Sequence, residues 1–470
     1  MSICPAALRS LGFLILISFM GPACGVAVRT AQQSVTAVKD STLFHQGRHG
    51  QLSEQERQWA KIAWRYFETQ TNPGTGLANS AANYPSTSMW NVGDYLAAMI
   101  AAHELAIIQD QEFDRRMSAL LHTLNNMPLA FGQLPNKVYH AGTGQMVNYN
   151  NQPEEIGWSA VDLGRLLVWL KITRETYPQF AEYVDKAILR WQFCNVIDPQ
   201  GELYGATRVE NQLQKYQEGR LGYEEYAAMG YQAWGFSTRQ ASQLEPYSVV
   251  KIYGIEIAHD DRDPHTSGGG SYGSVVSLPY ILSGLEFNWD RIEDTKSRDS
   301  THTDETLAGL AERVYQVQAL RYEKEGIFTA RTDHQLSQAP FFLYDAIFVA
   351  GYAWNTIADN GDEHPEAALV STRAAFGLWG LWKTDYTDRL IEVVNQLFNP
   401  EVGWYEGRRE QTGGYEYSIT CTTNAVILET LLYKQVGKIY RLALKNGYYQ
   451  TVLNDEFAPA GRCLPSEMPR

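Results

Sequence analysis

Four acidic residues stand beside aromatic or glycine-containing segments at widely separated points of the chain, namely Glu218, Glu225, Asp345 and Glu406. A carboxyl group next to a tryptophan or tyrosine ring is poorly solvated, so its pKa rises and it can keep its proton near neutral pH. Hydrolysis of a glycosidic bond needs one such acid and a second carboxylate that activates water or attacks carbon. The sequence therefore predicts Glu218 or Glu225 as the general acid and Asp345 or Glu406 as the general base.

Aromatic and hydrogen-bonding side chains accompany these acids. The C–H faces of a pyranose stack on aromatic rings, and its hydroxyl groups need polar partners. The predicted substrate-binding residues are Trp90, Asp94, Trp158, Arg220, Tyr223, Trp354, Asn355, Trp404 and Tyr405. A structural alternative stays open, because acids in a first helical turn often only cap the helix. That alternative applies to Asp94, Glu154, Glu155 and Asp162.

Two other functions remain open at this point. A polysaccharide lyase needs a tyrosine or histidine base and a residue that neutralises a uronate, which Tyr139 and His140 beside Asn136 and Lys137 would supply. A non-catalytic glycan-binding protein of an exopolysaccharide system would need the aromatic residues but not the acids.

Charge and motifs exclude several classes of protein. The formal net charge is −14, which argues against binding nucleic acid and favours a neutral glycan over a uronate polymer. The chain has no P-loop, no dinucleotide fingerprint and no cysteine–histidine cluster, so we expect no cofactor and no metal. The charged turn at residues 259–265 is predicted to be a solvated loop with an Asp–Arg pair rather than a calcium site.

The N-terminus has the features of an export signal. Residues 11–20 are apolar but too few to span a bilayer, and small residues follow them. We expect a signal peptide at residues 1–27, a polar tether at 28–50, and a periplasmic or secreted protein. Cys24 also allows a lipid anchor, which would be the membrane contact.

A recurring helix-stop turn organises the rest of the chain. Its aligned glycines lie at positions 76, 144, 201, 326 and 403, with a sixth copy suggested by the glycine run at 268–270. Paired helical patterns fill the intervals, which is typical of a helical repeat array. The predicted fold is all-α: an (α/α)6 toroid of six helical hairpins, with inner and outer helical barrels and short loop strands. It would form one domain at residues 51–445, followed by a tail at 446–470.

From Ser53 to Leu432 the chain resembles a bacterial family known as domain of unknown function 3131, which is grouped with the six-hairpin glycosidases. The matching stretches are residues 84–87, 89–90, 134–137, 157–162, 216–227, 245–247, 353–356, 384–388 and 403–407. The resemblance implies a toroid and a glycoside hydrolase or transglycosylase acting on an envelope or extracellular polysaccharide such as a β-glucan. It brings no catalytic assignment. One departure is Asn91, where the family leads us to expect aspartate; Asp94 lies one turn later.

Overall fold

The computed structural model describes residues 47–210, 212–244, 247–262, 273–294 and 302–441. The predicted signal peptide, the tether up to residue 46, Cys24, the glycine run at 268–270 and the C-terminal tail lie outside these residues. The described part of the chain is mostly helical. No helix in it is long and apolar enough to cross a membrane.

Eleven α-helices lie within the described residues. They are α1 (Glu54–Gln70), α2 (Met89–Glu104), α3 (Asp110–Asn126), α4 (Ala160–Thr176), α5 (Ala181–Leu189), α6 (Tyr223–Ala233), α7 (Leu278–Phe287), α8 (Glu305–Glu325), α9 (Thr372–Leu381), α10 (Asp385–Val394) and α11 (Cys421–Val436). Short 3-10 helices span Pro178–Phe180, Phe193–Asn195 and Pro365–Ala367.

Six of these helices form a closed inner ring. Helices α2, α4, α6, α7, α9 and α11 pack on one another in that order, and α11 closes the ring on α2. Nearly all of their residues are buried, because each has neighbours on both sides and a further layer behind it. The closest approach joins α4 to α6: a Cβ at Gly230 would lie 1.9 Å from the carbonyl oxygen of Gly164.

The other five helices pack on the outside of this ring. Helix α1 contacts α11 and α2, while α3, α5, α8 and α10 contact α2, α4, α7 and α9 respectively. The capping box predicted at the start of α1 is confirmed, since Ser53 and Glu56 exchange side-chain and backbone hydrogen bonds. The apolar stripe of α1 is buried as predicted.

The repeated turn is confirmed as a structural unit. The five aligned glycines all have positive φ, between 68° and 142°, which a residue with a side chain adopts only under strain. At Gly76 the position is also crowded, because a Cβ there would lie 2.5 Å from the backbone nitrogen of Leu120. The glycines therefore mark turns whose backbone conformation favours this residue type.

The prediction of six complete helical hairpins needs one correction. Between α6 and α7 the described residues hold a β-hairpin of strands Tyr247–Ile252 and Ile255–Asp260, where an outer helix was expected. The strands are rich in β-branched residues, and the turn uses Tyr253 and Gly254, both with positive φ. Helix α8 packs against this hairpin. The fold is thus a toroid of six inner helices with more strand than an all-α description implies.

Seventeen short strands lie in the segments between the helices within the described residues. They are β1 (Ser86–Ser88), β2 (Leu129–Ala130), β3 (Leu134–Pro135), β4 (Val138–His140), β5 (Tyr204–Val209), β6 (Gln212–Gln217), β7 (Tyr247–Ile252), β8 (Ile255–Asp260), β9 (His334–Gln335), β10 (Phe342–Asp345), β11 (Phe348–Val349), β12 (Tyr352–Ala353), β13 (Thr356–Ile357), β14 (Leu369–Ser371), β15 (Phe398–Asn399), β16 (Gly403–Arg409) and β17 (Tyr415–Ile419). All their pairings are antiparallel: β1–β4, β2–β3, β5–β6, β7–β8, β11–β12, β13–β10–β9, and β14–β16–β15 with β17 on β16.

Candidate active site

The segments that lead into the inner helices contact one another at one end of the ring. A backbone bridge joins Ala81, before α2, to Thr420, before α11. Strand β1, also before α2, pairs with β4, and Trp158, before α4, exchanges backbone hydrogen bonds with Ala206 of β5. This end of the ring therefore gathers residues from distant parts of the chain.

Two carboxyl groups meet at the start of α4. Ser159 caps this helix by accepting a hydrogen bond of 3.0 Å from the backbone N–H of Asp162. Glu218 follows strand β6, and its Oε2 accepts a short hydrogen bond from the backbone N–H of Ala160. The Ser159 hydroxyl interacts with both carboxyl groups. Both residues are partly exposed.

The surroundings of this pair favour a bound proton near neutral pH. Desolvation, followed by the negative charge of Glu218, raises the pKa of Asp162 to about 7, while Ser159 and the Trp90 N–H oppose the shift. Desolvation also raises the pKa of Glu218, against the positive charge of Lys137. Desolvation in turn lowers the pKa of Lys137. The positive charge of Lys137 favours the ionised form of both carboxyl groups, but it does not offset their desolvation.

Tyrosine rings surround the two acids. The ammonium group of Lys137 lies 5.2 Å from the centroid of the Tyr216 ring. Tyr149 keeps 68% of its surface exposed, and its backbone carbonyl accepts a hydrogen bond of 2.8 Å from the Tyr84 hydroxyl. The Tyr149 hydroxyl is close enough to Asp162, Glu218 and Asp359 for their negative charges to act on it.

A second group of side chains lines the same cleft. The Tyr223 hydroxyl donates a hydrogen bond of 2.9 Å to Asp333, which accepts a second one, of 2.7 Å, from Thr332. Tyr344 is hydrogen-bonded to Asp359 and is close enough to Tyr149 for their charges to interact. The cleft thus holds four carboxyl groups and four tyrosines.

Three residues predicted from sequence line this cleft. Glu218 provides one of the paired carboxyl groups, and Trp90 and Tyr223 contact each other edge to face at 5.7 Å. For Asp162 the sequence left a helix-capping role open, and this residue was not among the predicted site residues. Ser159 occupies the N-cap, and the Asp162 carboxylate accepts no capping bond from the Ser159 backbone N–H in return. The sequence carried no signal for this, because a serine three residues before an acid is also the pattern of a capping box.

Glu225 and Arg220 have local structural partners. Glu225 accepts a hydrogen bond of 2.6 Å from the backbone N–H of Gly222, the N-cap residue of α6. This is the acidic half of a capping box, because glycine has no side chain to complete it. Arg220 donates to Gln217 at 3.1 Å and to the carbonyl of Gly219. The prediction of Glu225 as a general acid is corrected accordingly, because its carboxylate faces the helix terminus.

Asp345 and Glu406 are fully buried in ion pairs. Asp345 pairs with Arg331 at 3.0 Å and accepts hydrogen bonds from Thr356 and the Leu369 N–H. Burial raises the pKa of Asp345. We therefore correct its prediction as a general base.

Glu406 pairs with Arg373 at 3.3 Å. It also accepts hydrogen bonds of 2.5 Å from Thr420 and Thr423 at the start of α11. A carboxylate whose oxygens are occupied in this way is not placed to activate water, so the prediction of Glu406 as a general base is also corrected.

Asp94 lies inside the ring instead of in the cleft. It joins a fully buried cluster in which Arg165 pairs with Asp94 at 2.7 Å, Glu286 at 2.9 Å and Glu429 at 2.5 Å. The Thr422 hydroxyl donates to Asp94 at 2.7 Å. The prediction that Asp94 binds substrate is therefore corrected, because its carboxylate is enclosed.

The remaining predicted binding residues lie elsewhere. Trp158 and Trp404 are fully buried, and their indole N–H groups donate to the backbone carbonyls of Tyr204 and Trp59. This corrects their prediction as sugar-stacking residues.

Trp354 and Asn355 lie beside the hairpin formed by β7 and β8. Trp354 stacks with Tyr253 at 6.2 Å and lies under Arg321 at 4.4 Å, and Asn355 donates to Glu363 at 3.0 Å. None of these contacts involves Asp162 or Glu218. Tyr405 lies on the hairpin formed by β16 and β17.

The residues predicted for a lyase are also occupied. Tyr139 is fully buried and its hydroxyl donates to the carbonyl of Pro128 at 2.7 Å. His140 accepts from the backbone N–H of Gly142 at 3.1 Å. These contacts disfavour Tyr139 as a base.

The predicted Asp–Arg pair is confirmed, because Arg262 contacts Asp260 at 2.5 Å, but Asp260 is buried instead of solvated. Within the described residues, no cluster of histidine, cysteine, aspartate and glutamate could hold a metal ion.

The chain matches one protein family and a group of solved structures. The family described as "Protein of unknown function (DUF3131)" matches residues 58–437. No curated protein sequence matches the chain.

A solved glucoamylase-like protein from Bacteroides caccae is 13% identical, with a TM-score of 0.59 over 82% of this chain and 94% of that one. The endo-β-1,2-glucanase of Chitinophaga pinensis, solved with sophorotriose and glucose, is 12% identical, with a TM-score of 0.56 over 83% of this chain and 95% of that one. The endo-β-1,2-glucanase of Talaromyces funiculosus, solved with sophorose, is 12% identical, with a TM-score of 0.53 over 88% and 92%. At these identities the similarity establishes a shared (α/α)6 glycosidase-like fold.

Proposed function

This chain belongs to the DUF3131 family, and from that premise we propose that it is a glycoside hydrolase whose active site is the cleft around Asp162 and Glu218. The observation that carries the proposal is the pairing of these two carboxyl groups at the start of α4, among tyrosine rings and on partly exposed residues. A carboxylic acid that keeps its proton near neutral pH is the group that a glycosidic oxygen needs when its bond to carbon breaks.

The proposed steps assign one role to each acid. Asp162, with a pKa of about 7, transfers its proton to the glycosidic oxygen while the bond from that oxygen to the anomeric carbon breaks and its electron pair stays on oxygen. A water molecule attacks the anomeric carbon and gives its proton to Asp333, which Tyr223 and Thr332 orient by hydrogen bonds. Glu218 acts on Asp162 through its negative charge. One water is consumed for each bond cleaved.

The rings of the cleft are suited to a sugar chain. Trp90, Tyr149, Tyr216, Tyr223 and Tyr344 supply aromatic faces for stacking and hydroxyl or indole groups for hydrogen bonds. Four carboxyl groups and a formal net charge of −14 disfavour a uronate polymer through charge repulsion. A neutral glucan fits these properties better than the substrate of a lyase.

Structures with the same fold support a β-1,2-linked glucan as the first substrate to test, since two of them are endo-β-1,2-glucanases solved with sophorose-type sugars. The apolar stretch at residues 11–20 supports export, which would bring the enzyme to an envelope or extracellular glucan. Cys24 would attach it to the membrane if it is lipidated. Transfer to a sugar acceptor instead of water would make the same site a transglycosylase.

The experiment measures new reducing ends from β-1,2-, β-1,3- and α-1,4-glucans with the purified chain. We expect release from β-1,2-glucan, and a loss of about 100-fold or more in Asp162→Asn and in Asp333→Asn. Glu401→Gln is the matched control, because Glu401 is an exposed acid paired only with Arg65 at 3.5 Å. Binding of a glucan without release of reducing ends would instead support the non-catalytic glycan-binding protein.

A further inference from the structure

Three tyrosines occupy one face of the hairpin formed by β16 and β17. Tyr405 lies on β16, and Tyr415 and Tyr417 lie on β17, two residues apart and therefore on the same side of the strand. Tyr415 is 42% exposed and Tyr417 is 63% exposed. The alternate residues Trp404, Glu406 and Glu416 are buried on the opposite face.

The three rings form a connected surface, called here the tyrosine track. The ring centroids of Tyr405 and Tyr417 are 5.1 Å apart at an interplanar angle of 82°, and those of Tyr415 and Tyr417 are 6.0 Å apart at 54°. Arg408, which is opposite Tyr415 in the strand register, donates its Nε–H to the carbonyl of Gly413. Within the described residues, the hydroxyl groups of these three tyrosines make no hydrogen bond.

The track is continuous with the candidate active site along the chain. Strand β17 leads to Thr420, the N-cap of α11, and Tyr417 lies three residues before it, or about 10 Å along an extended strand. The carbonyl of Ile419, two residues after Tyr417, accepts a hydrogen bond of 2.9 Å from the backbone N–H of Ala82. The exposed Tyr84, two residues after Ala82, donates to the carbonyl of Tyr149, whose ring belongs to the cleft. These contacts lead from the cleft to β17, which carries Tyr417 and Tyr415.

The chemistry of the track suits a polysaccharide. Tyrosine and arginine are also common in protein interfaces, so a sugar chain is favoured here by the proposed action on a glucan and by the three rings in series. A tyrosine offers an apolar ring for sugar C–H groups and a hydroxyl for sugar hydroxyls. Rings in series can hold successive units of one chain.

We propose that the tyrosine track is a second glycan-binding surface, which holds the polymer beyond the cleft and makes the protein select long chains over short oligosaccharides. This inference rests on the proposed function and adds to it the length of the substrate.

The first test measures the affinity of the chain for soluble β-1,2-glucan by retardation in native gels. It uses the Asp162→Asn background so that the polymer stays intact. We expect Tyr415→Ala combined with Tyr417→Ala to weaken binding about tenfold, the loss expected from two aromatic stacking contacts. Tyr417→Phe keeps the ring and should keep most of the affinity. Tyr352→Ala is the control, because Tyr352 is 65% exposed on β12 and outside the track.

The second test compares turnover of the polymer and of a β-1,2-linked trisaccharide in the otherwise unmodified chain. We expect the double tyrosine variant to raise KM for the polymer while kcat/KM for the trisaccharide stays unchanged. Equal polymer affinity in the parent and the double variant would contradict a role of the track in binding. An equal loss of kcat/KM on the polymer and on the trisaccharide would contradict it as well. If the parent neither binds nor cleaves any glucan, the proposed function itself fails, which is a different result from cleavage without a role for the track.

Discussion

At the level of single residues, the proposed role of Asp162 depends on the charges around it, because the cleft holds more carboxyl groups than cations. Asp162 and Glu218 share the start of one helix with Lys137, whose ammonium group is itself desolvated. Full ionisation of both acids would leave one negative charge without a partner. The lower-energy state keeps a proton on Asp162, and this makes an ordinary aspartate a proton donor near neutral pH.

This charge balance predicts how the activity depends on pH. Activity that needs protonated Asp162 should fall as the pH rises through about 7. Glu218→Gln removes a neighbouring negative charge, so it lowers the pKa of Asp162 and moves the alkaline limb of the pH–rate profile to lower pH. Lys137→Met removes a positive charge and moves that limb to higher pH. The measurement is kcat/KM for the glucan from pH 4 to 9, with Glu401→Gln as the control.

If the alkaline limb stays at the same pH in both variants, Asp162 is not the proton donor. A shift of the alkaline limb in the same direction in both variants would also contradict the account, because the two substitutions change the local charge in opposite ways.

Single residues also show which acids of the cleft can be identified from the sequence and which cannot. The environment of Glu218, between Gln217 and Gly219, indicated an acid in a loop, and the structure places it in the cleft. Asp162 has the sequence position of a helix-capping acid, and only the bond from its own N–H to Ser159 shows that the cap is already filled. Type and spacing alone do not distinguish a capping acid from a reactive one in the same turn.

At the level of elements, the candidate site is built beside the starts of the inner helices, several of which are capped by serine or threonine. At the start of α6 the Glu225 carboxylate accepts from the Gly222 N–H, and at the start of α11 Thr420 and Thr423 donate to Glu406. Acids near these helix starts therefore divide into those that hold the fold and those that face the cleft. Because the partner of Glu406 is Arg373 on another element, sequence spacing could not assign it to the first group.

Glu225 provides the test at this scale. Glu225→Ala removes the side-chain acceptor for the Gly222 N–H and should lower the free energy of unfolding by about 1 kcal/mol. Glu225→Gln keeps an oxygen in that position and should change stability much less. Urea unfolding and glucan turnover are measured on both variants, and we expect both to keep the turnover of the unmodified chain.

A 100-fold loss of turnover in a normally stable Glu225→Gln variant would contradict this assignment. It would return Glu225 to the catalytic role that the sequence alone had suggested.

At the level of the whole molecule, the ring is held together by charge as well as by apolar packing. Arg165 on α4 bonds carboxylates from α2, α7 and α11 in one fully buried cluster and donates a hydrogen bond of 2.7 Å to the Tyr226 hydroxyl on α6. Five of the six inner helices therefore meet at one side chain. Burial raises the pKa of both Glu286 and Glu429. Protonation of one of them would reduce the excess of negative charge around a single arginine.

Arg165→Met tests this role. It leaves three carboxyl groups buried without their cation, and we expect the free energy of unfolding to fall by about 3–5 kcal/mol. Arg65→Met is the control, because Arg65 is an exposed arginine with surface ion pairs, and its loss should change stability far less. Similar unfolding midpoints for the two variants would contradict a central role for the cluster.

The closed ring of helices was predictable from the sequence, whereas the hairpin that replaces one outer helix and the buried partners of Arg165 were not. Five glycines with positive φ recur along the chain, and their intervals indicated paired helices. The same repeat predicted a sixth outer helix, but the β-branched residues around Tyr253 and Gly254 form a hairpin there. The partners of Arg165 lie up to 264 residues away, and no local pattern identifies them.

The measurement that tests the central claim most directly is a crystal structure of Asp162→Asn with a β-1,2-linked gluco-oligosaccharide. We predict a sugar chain in the cleft, with a glycosidic oxygen within hydrogen-bonding distance of the amide at position 162, the ring of Trp90 or Tyr149 against a pyranose face, and Asp333 near the anomeric carbon. A sugar chain bound only outside this cleft, or one whose glycosidic oxygens all lie beyond reach of position 162, would contradict the account.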